Sequence, residues 1–132
     1  MNAIQNKTGF ICDMDGVIYH GNRIIPHVTE FVEWLLKNDK KFLFLTNYDR
    51  WRSKNNEGLS DIDYVDAMLA VCARWGMPCF DNYRGAGFSF YNPAQCEWID
   101  EGCVLEGKSN RHFSDEGYDF LLTRYEALLE AL

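Results

Sequence analysis

Two carboxylates spaced two residues apart, Asp13 and Asp15, follow the apolar run Phe10-Ile11-Cys12 and stand directly before Gly16. A strand rises about 3.3 Å per residue and points alternate side chains to the same side. The spacing therefore predicts both acids on one side of a strand's C-terminal mouth, where open α/β sheets bind ligands. Gly16 lets the chain leave the sheet sharply. Two acids so placed suit a hard cation such as Mg²⁺, or a division of labour between a nucleophile and an acid/base. A solvated strand end reads the same way when such a pair stands alone.

The elements that must position this pair follow from hydrophobic period. Residues 8–13 read as an apolar first strand fit for a buried parallel position. Residues 16–26 are a turn-rich excursion, with His20 and His27 in or beside it as surface histidines. Pro26 can open a helix whose Val28, Phe31, Val32, Leu35 and Leu36 share one face, and 42–46 is a second strand, apolar on both sides. Ser60 or Asp61 caps a helix presenting Ile62, Val65, Met68, Leu69 and Cys72, closed by Trp75-Gly76. A short third strand follows over 77–82, then a long irregular stretch over 83–111 in which 103–105 reads as a short extended piece. Ser114-Asp115-Glu116 caps a terminal helix with Tyr118, Leu121, Leu122, Tyr125, Leu128 and Leu129 as its apolar face.

This pattern predicts a single α/β domain over 1–132. It is a small three-layer parallel sheet of about three strands in order 1-2-3, Rossmann-like or flavodoxin-like. Right-handed crossovers put the first two helices on one face and leave the other to the terminal helix. One helix is thin cover for a face that parallel sheets normally bury. The first strand becomes an apolar edge, which predicts a homodimer through that strand or through the uncovered face.

The composition, 47% hydrophobic and 25% charged, is that of a globular chain. A net charge of −7 argues against non-specific nucleic-acid binding and against anionic membranes. No apolar run reaches the roughly 20 residues that span a bilayer, and no signal-peptide pattern opens the sequence. Five cysteines (Cys12, Cys72, Cys79, Cys96, Cys103) without a CxxC pattern read as buried or free thiols of a reducing cytosol, so the expected location is cytoplasmic.

Asp13-Met14-Asp15-Gly16-Val17, with Phe42-Leu43-Phe44-Leu45-Thr46-Asn47, resembles the first two motifs of haloacid dehalogenase superfamily phosphatases, nearest the NagD-like branch, over about 7–47. The resemblance implies that Asp13 is the phosphorylated nucleophile and Asp15 the general acid/base. It implies Mg²⁺ on the Asp13 carboxylate and the Asp15 backbone carbonyl, and Thr46 on the phosphoryl group. That family also uses a motif-three Lys or Arg and a late acidic motif. Gly107-Lys108-Ser109 resembles the first faintly and also reads as a solvated loop; Asp100-Glu101 and Asp115-Glu116 lack the context of the second.

The second part, 48–132, resembles the C-terminal part of SGNH hydrolases in Tyr48-Asp49-Arg50-Trp51, in the block from Cys72 to Asp81, and in His112 to Tyr118. In that family a DxxH block before the final helix supplies a base and its orienting Asp. Here the base position is His112, and the position three residues earlier is Ser109 rather than Asp. The family's Ser nucleophile block and oxyanion blocks have no counterpart. Two half-sites joined near Asn47 predict an engineered chimera of the two families without evolved activity, with Asp13, Asp15 and His112 as vestiges. The alternatives are a residual Mg²⁺-dependent phosphatase on Asp13, Asp15 and Thr46, or a site that binds Mg²⁺ or phosphate without turnover.

Overall fold

The structure, a computed structural model, describes residues 3–48, 54–88, 92–98 and 112–132. Strand β1 (Gly9–Asp13) leads into a small antiparallel hairpin of β2 (Tyr19–His20) and β3 (Arg23–Ile24). Helix α1 (Val28–Lys37), strand β4 (Lys41–Leu45), helix α2 (Asp61–Arg74) and strand β5 (Cys79–Phe80) follow. A short α3 (Asn82–Gly85), a 3₁₀ turn over Pro93–Trp98 and α4 (Asp115–Ala131) complete the order.

The sheet runs β1-β4-β5, all parallel, with Asp13 opposite Leu45 and Leu45 opposite Phe80. This is the expected order 1-2-3, and the mixed α/β architecture with a helix-flanked parallel sheet is the expected Rossmann-like class. Alternation along the strands sorts the core into two faces. Cys12, Phe42 and Phe44 pack with Leu35 of α1 and Met68 and Cys72 of α2. Leu43 and Leu45 pack on the other side with Leu121 and Tyr125 of α4, Ala86 and Phe113.

The expected cover of one helix on that second face is supplemented by aromatic rings from the loops. Tyr48 meets Phe113 at 4.4 Å between centroids, Phe88 meets Phe113 at 4.8 Å, and Trp98 stacks on Phe120 at 4.2 Å. Such pairs contribute beyond their buried area when stacked or edge-on.

The caps follow the sequence closely. Ser60 forms a capping box with Asp63, and the Ser114 hydroxyl accepts from the Gly117 N–H at 3.2 Å. Gly76 takes φ 64° past the end of α2, the left-handed position that glycine tolerates.

Three assignments shift, two on helices and one on a strand. Leu36 is 54% exposed, and Trp34 takes its place against Phe10 and Phe31. On α4, Tyr118 and Leu122 are exposed, while Gly117, Leu121 and Tyr125 are buried. The helix thus presents an i, i+4 row rather than the wider stripe expected. The third strand is two residues long, because the chain turns into α3 at Asn82, the last residue read as strand, and α3 runs on into the stretch read as irregular. The extended piece over 103–105 lies outside the described residues.

Candidate functional site

Three strand ends meet at one edge of the sheet, and the candidate residues sit there because parallel strands bring their C-termini together. Asp13 is the last residue of β1. Thr46 stands one residue past β4, its N–H donating to the Phe80 carbonyl at 3.0 Å. Asn82 stands two residues past β5.

A cavity of about 250 Å³ opens at this mouth, lined among others by Asp13, Thr46, Asn47, Asn82, His112 and Tyr125. It brings together three residues singled out from sequence, Asp13, Thr46 and His112. A cavity of about 150 Å³ holds a benzene ring, so this one has room for a phosphoryl group and the start of its substituent. His112 comes from the segment just before α4, and the loop holding Lys108 and Ser109 lies outside the described residues.

Asp15 is placed differently from the expectation. The strand ends at Asp13, and the Met14 carbonyl accepts from the N–H groups of Val17, Ile18 and Tyr19 at 3.4, 2.8 and 3.2 Å. Gly16 follows at φ 77°. The chain is therefore already turning at Asp15, and the alternation of a strand does not apply to it. Asp15 lines a second, larger cavity of about 800 Å³ beneath the β2–β3 hairpin, together with Tyr19, Asn22, Asn55 and Tyr64. Asn47 lines both cavities.

The electrostatics are those of an acidic, polar site. The Met14 N–H donates to Asp13 Oδ1 at 2.8 Å, which orients the carboxylate. Thr46 and Asn82 are buried, and the Asn82 N–H donates to Thr46 Oγ1 at 2.8 Å. The Tyr125 hydroxyl donates to Asn82 Oδ1 at 2.5 Å. Burial first, and then the Asp13 charge, push the Tyr125 phenol up to about 12. Asn82 and Tyr125 were missed from sequence, since their contact spans 43 positions and leaves no local pattern.

Among the described residues no lysine or arginine lines either cavity. Arg84 instead bridges Asp66 and Asp81, each at 2.7 Å, and Arg124 donates to the Ala86 carbonyl at 2.6 Å. Asp115 and Glu116 occupy the first turn of α4, as caps require. The described residues hold no cluster of three or more His, Cys, Asp or Glu side chains that could bind a metal. The oxygen donors that are present, Asp13 and Asp15, fit Mg²⁺, which is commonly held by one or two carboxylates plus substrate phosphate and water.

Cys12, Cys72 and Cys79 line neither cavity. Cys12 and Cys72 are buried thiols and Cys79 is half-buried, its thiol pushed up to about 12 by burial and by Cys72 beside it. Among the described residues no helix is long and apolar enough to cross a membrane.

Fold and site together define an α/β protein with a carboxylate and a hydroxyl at adjoining strand ends. The family model of haloacid dehalogenase-like hydrolases matches residues 10–66, which covers Asp13, Asp15 and Thr46 and runs past the join expected near Asn47.

One solved crystal structure is 26% identical over 77% of this chain and 49% of its own, with a TM-score of 0.57. Another, of a protein from Lactobacillus plantarum, is 20% identical over 78% of this chain and 51% of its own, also at 0.57. The chain thus spans about half the length of the solved structures it resembles. No curated relative matches it. The resemblance of 48–132 to SGNH hydrolases gains no support from these matches.

Proposed function

We propose that the sheet mouth is a phosphoryl-transfer site of the haloacid dehalogenase type. The observation that carries this reading is the meeting of Asp13 and Thr46 in one cavity, inside the segment that the family model matches. An Asp13 oxygen attacks phosphorus, and the bond to the leaving oxygen breaks as Asp15 delivers a proton to it. Water, giving its proton to Asp15, then attacks the aspartyl phosphate and releases inorganic phosphate. Mg²⁺ held by Asp13 and Asp15 would neutralise phosphoryl charge. Thr46 donates to a phosphoryl oxygen, an interaction strengthened by the anion's charge. The larger cavity beside Asp15 suits the leaving group, because the proton donor faces it.

The test is hydrolysis of p-nitrophenyl phosphate with and without Mg²⁺, for the unaltered chain and Asp13→Asn. Metal-dependent turnover that the substitution abolishes is the expected result. Equal background rates favour the second reading, a recombined chain without evolved activity. That reading draws on the SGNH-like block around His112 and on the absence of a cation from both cavities among the described residues.

A homodimer is proposed alongside. Strand β1 is an edge of the described sheet, and an apolar edge strand suits pairing with a second copy. Sedimentation at tens of micromolar reads the assembly, and a monodisperse monomer refutes it.

A further inference from the structure

The polar chain at the mouth runs from the C-terminal helix to the phosphoryl site, and every link is buried. Thr46 is 1% exposed, Asn82 5% and Tyr125 7%. Asn82 is the first residue of α3, so its N–H has no partner within the helix, and Thr46 Oγ1 accepts it at 2.8 Å. The Thr46 hydroxyl reaches the carbonyl of the next residue, Asn47, at 3.3 Å. That is long for an O–H···O bond, whose usual range is about 2.5–3.0 Å. One lone pair of this oxygen is thus firmly engaged while its proton is weakly held. The other end of Asn82 is fixed by Tyr125, which hydrogen-bonds Oδ1 at 2.5 Å.

We propose that Asn82 and Tyr125 are positioning residues that hold the Thr46 hydroxyl as a hydrogen-bond donor toward a phosphoryl oxygen bound in the smaller cavity. This rests on the phosphoryl-transfer reading of the site. Exchanging a long neutral bond to Asn47 for a short one to an anion costs little, since hydrogen bonds to charged acceptors are roughly twice as strong. The fixed N–H from Asn82 keeps the oxygen from turning its lone pair toward the anion instead. The C-terminal helix thereby acts on the Thr46 hydroxyl through the Tyr125–Asn82 hydrogen bond.

A purely structural network lowers stability when cut and leaves ligand affinity unchanged once the protein is folded. A positioning network changes affinity, and does so only while Thr46 retains its hydroxyl. The experiment is a double-mutant cycle of Thr46→Val and Tyr125→Phe. It is read by calorimetric titration with inorganic phosphate in the presence of Mg²⁺, well below each variant's melting temperature. Tyr125→Phe is expected to weaken phosphate about 5–10-fold in the unaltered background, the effect of roughly one hydrogen bond. In the Thr46→Val background the expected effect is less than about 2-fold.

Equal factors in both backgrounds, no weakening by Tyr125→Phe, or no phosphate binding by the unaltered chain each overturn the proposal. If Tyr125→Phe does not fold, Asn82→Ala removes the other partner and replaces it in the cycle. Turnover of p-nitrophenyl phosphate, measured on the same proteins, separates the two ideas. A coupled cycle in phosphate binding without turnover sensitive to Asp13→Asn sinks the phosphatase reading and leaves the positioning role standing.

Discussion

The two faces of the sheet are built by different means. On one, α1 and α2 close over Cys12, Phe42 and Phe44 with Leu35, Met68 and Cys72 and with the helix aromatics Phe31 and Trp34, and Leu35 is completely buried. On the other, α4 shares the cover with loop aromatics, and the buried Thr46–Asn82–Tyr125 chain runs beside them. The first face needs nothing but shape. The second must also satisfy polar groups, and a buried polar network confers order only when every member is paired. The difference shows where this small fold commits its specificity: to the face that holds the strand-end cavity.

The sharpest way to break the comparison is to remove chemistry without touching packing. Asp13→Asn is expected to lower metal-dependent p-nitrophenyl phosphate turnover to background with an unchanged melting temperature, since Asp13 is exposed at the mouth. Next come the two core leucines. Leu35→Ala and Leu121→Ala each empty a buried site and should cost about 2–5 kcal/mol in urea unfolding. The comparison predicts that Leu121→Ala also weakens phosphate, because it loosens α4 beside Tyr125, whereas Leu35→Ala leaves affinity alone.

A smaller effect tests the polar side directly. The folded state raises the Tyr125 phenol from about 10 to about 12, so this residue stabilises the protein fully below pH 10. That contribution is lost as pH rises toward 12. Chemical denaturation across pH 9–12 should show a steeper loss in the unaltered chain than in Tyr125→Phe. The smallest effect lies at a helix end on the other face. Ser60→Ala removes the α2 capping box and should cost about 1 kcal/mol with no change in phosphate affinity.

Much of the first face was legible in the residues, because it depends on local period. The apolar runs at 8–13 and 42–46, the cap at Ser60 and the left-handed Gly76 each announce themselves within a few positions, as does the Ser114 cap of α4 on the other face. The meeting of Asp13 and Thr46 was legible too, since both follow apolar strands that pair in parallel. The orientation of Asp15 was not. It depends on where β1 stops: the strand ends at Asp13, two residues short of Asp15, and the Met14 carbonyl gathers three N–H groups in the turn that follows. The exchange of Leu36 for Trp34 arises in the same way, from the roll of a helix that only its partners fix. Asn82 and Tyr125 form a contact between distant segments, and no spacing rule reports such a pair.

Gly9, at the start of β1, lies so close to α4 that an added Cβ would stand 2.7 Å from Leu129 Cδ2. Lys41, at the start of β4, donates to the Glu130 carbonyl at 3.1 Å. The far end of α4 therefore docks on the strands synthesised first. Contacts of such long sequence separation slow folding, because the loop must close before its contacts reward it. While the chain leaves the ribosome, the α4 face of β1 and β4 stays uncovered until this helix arrives. Nascent molecules stalled before α4 would expose that apolar surface and become clients for holding chaperones.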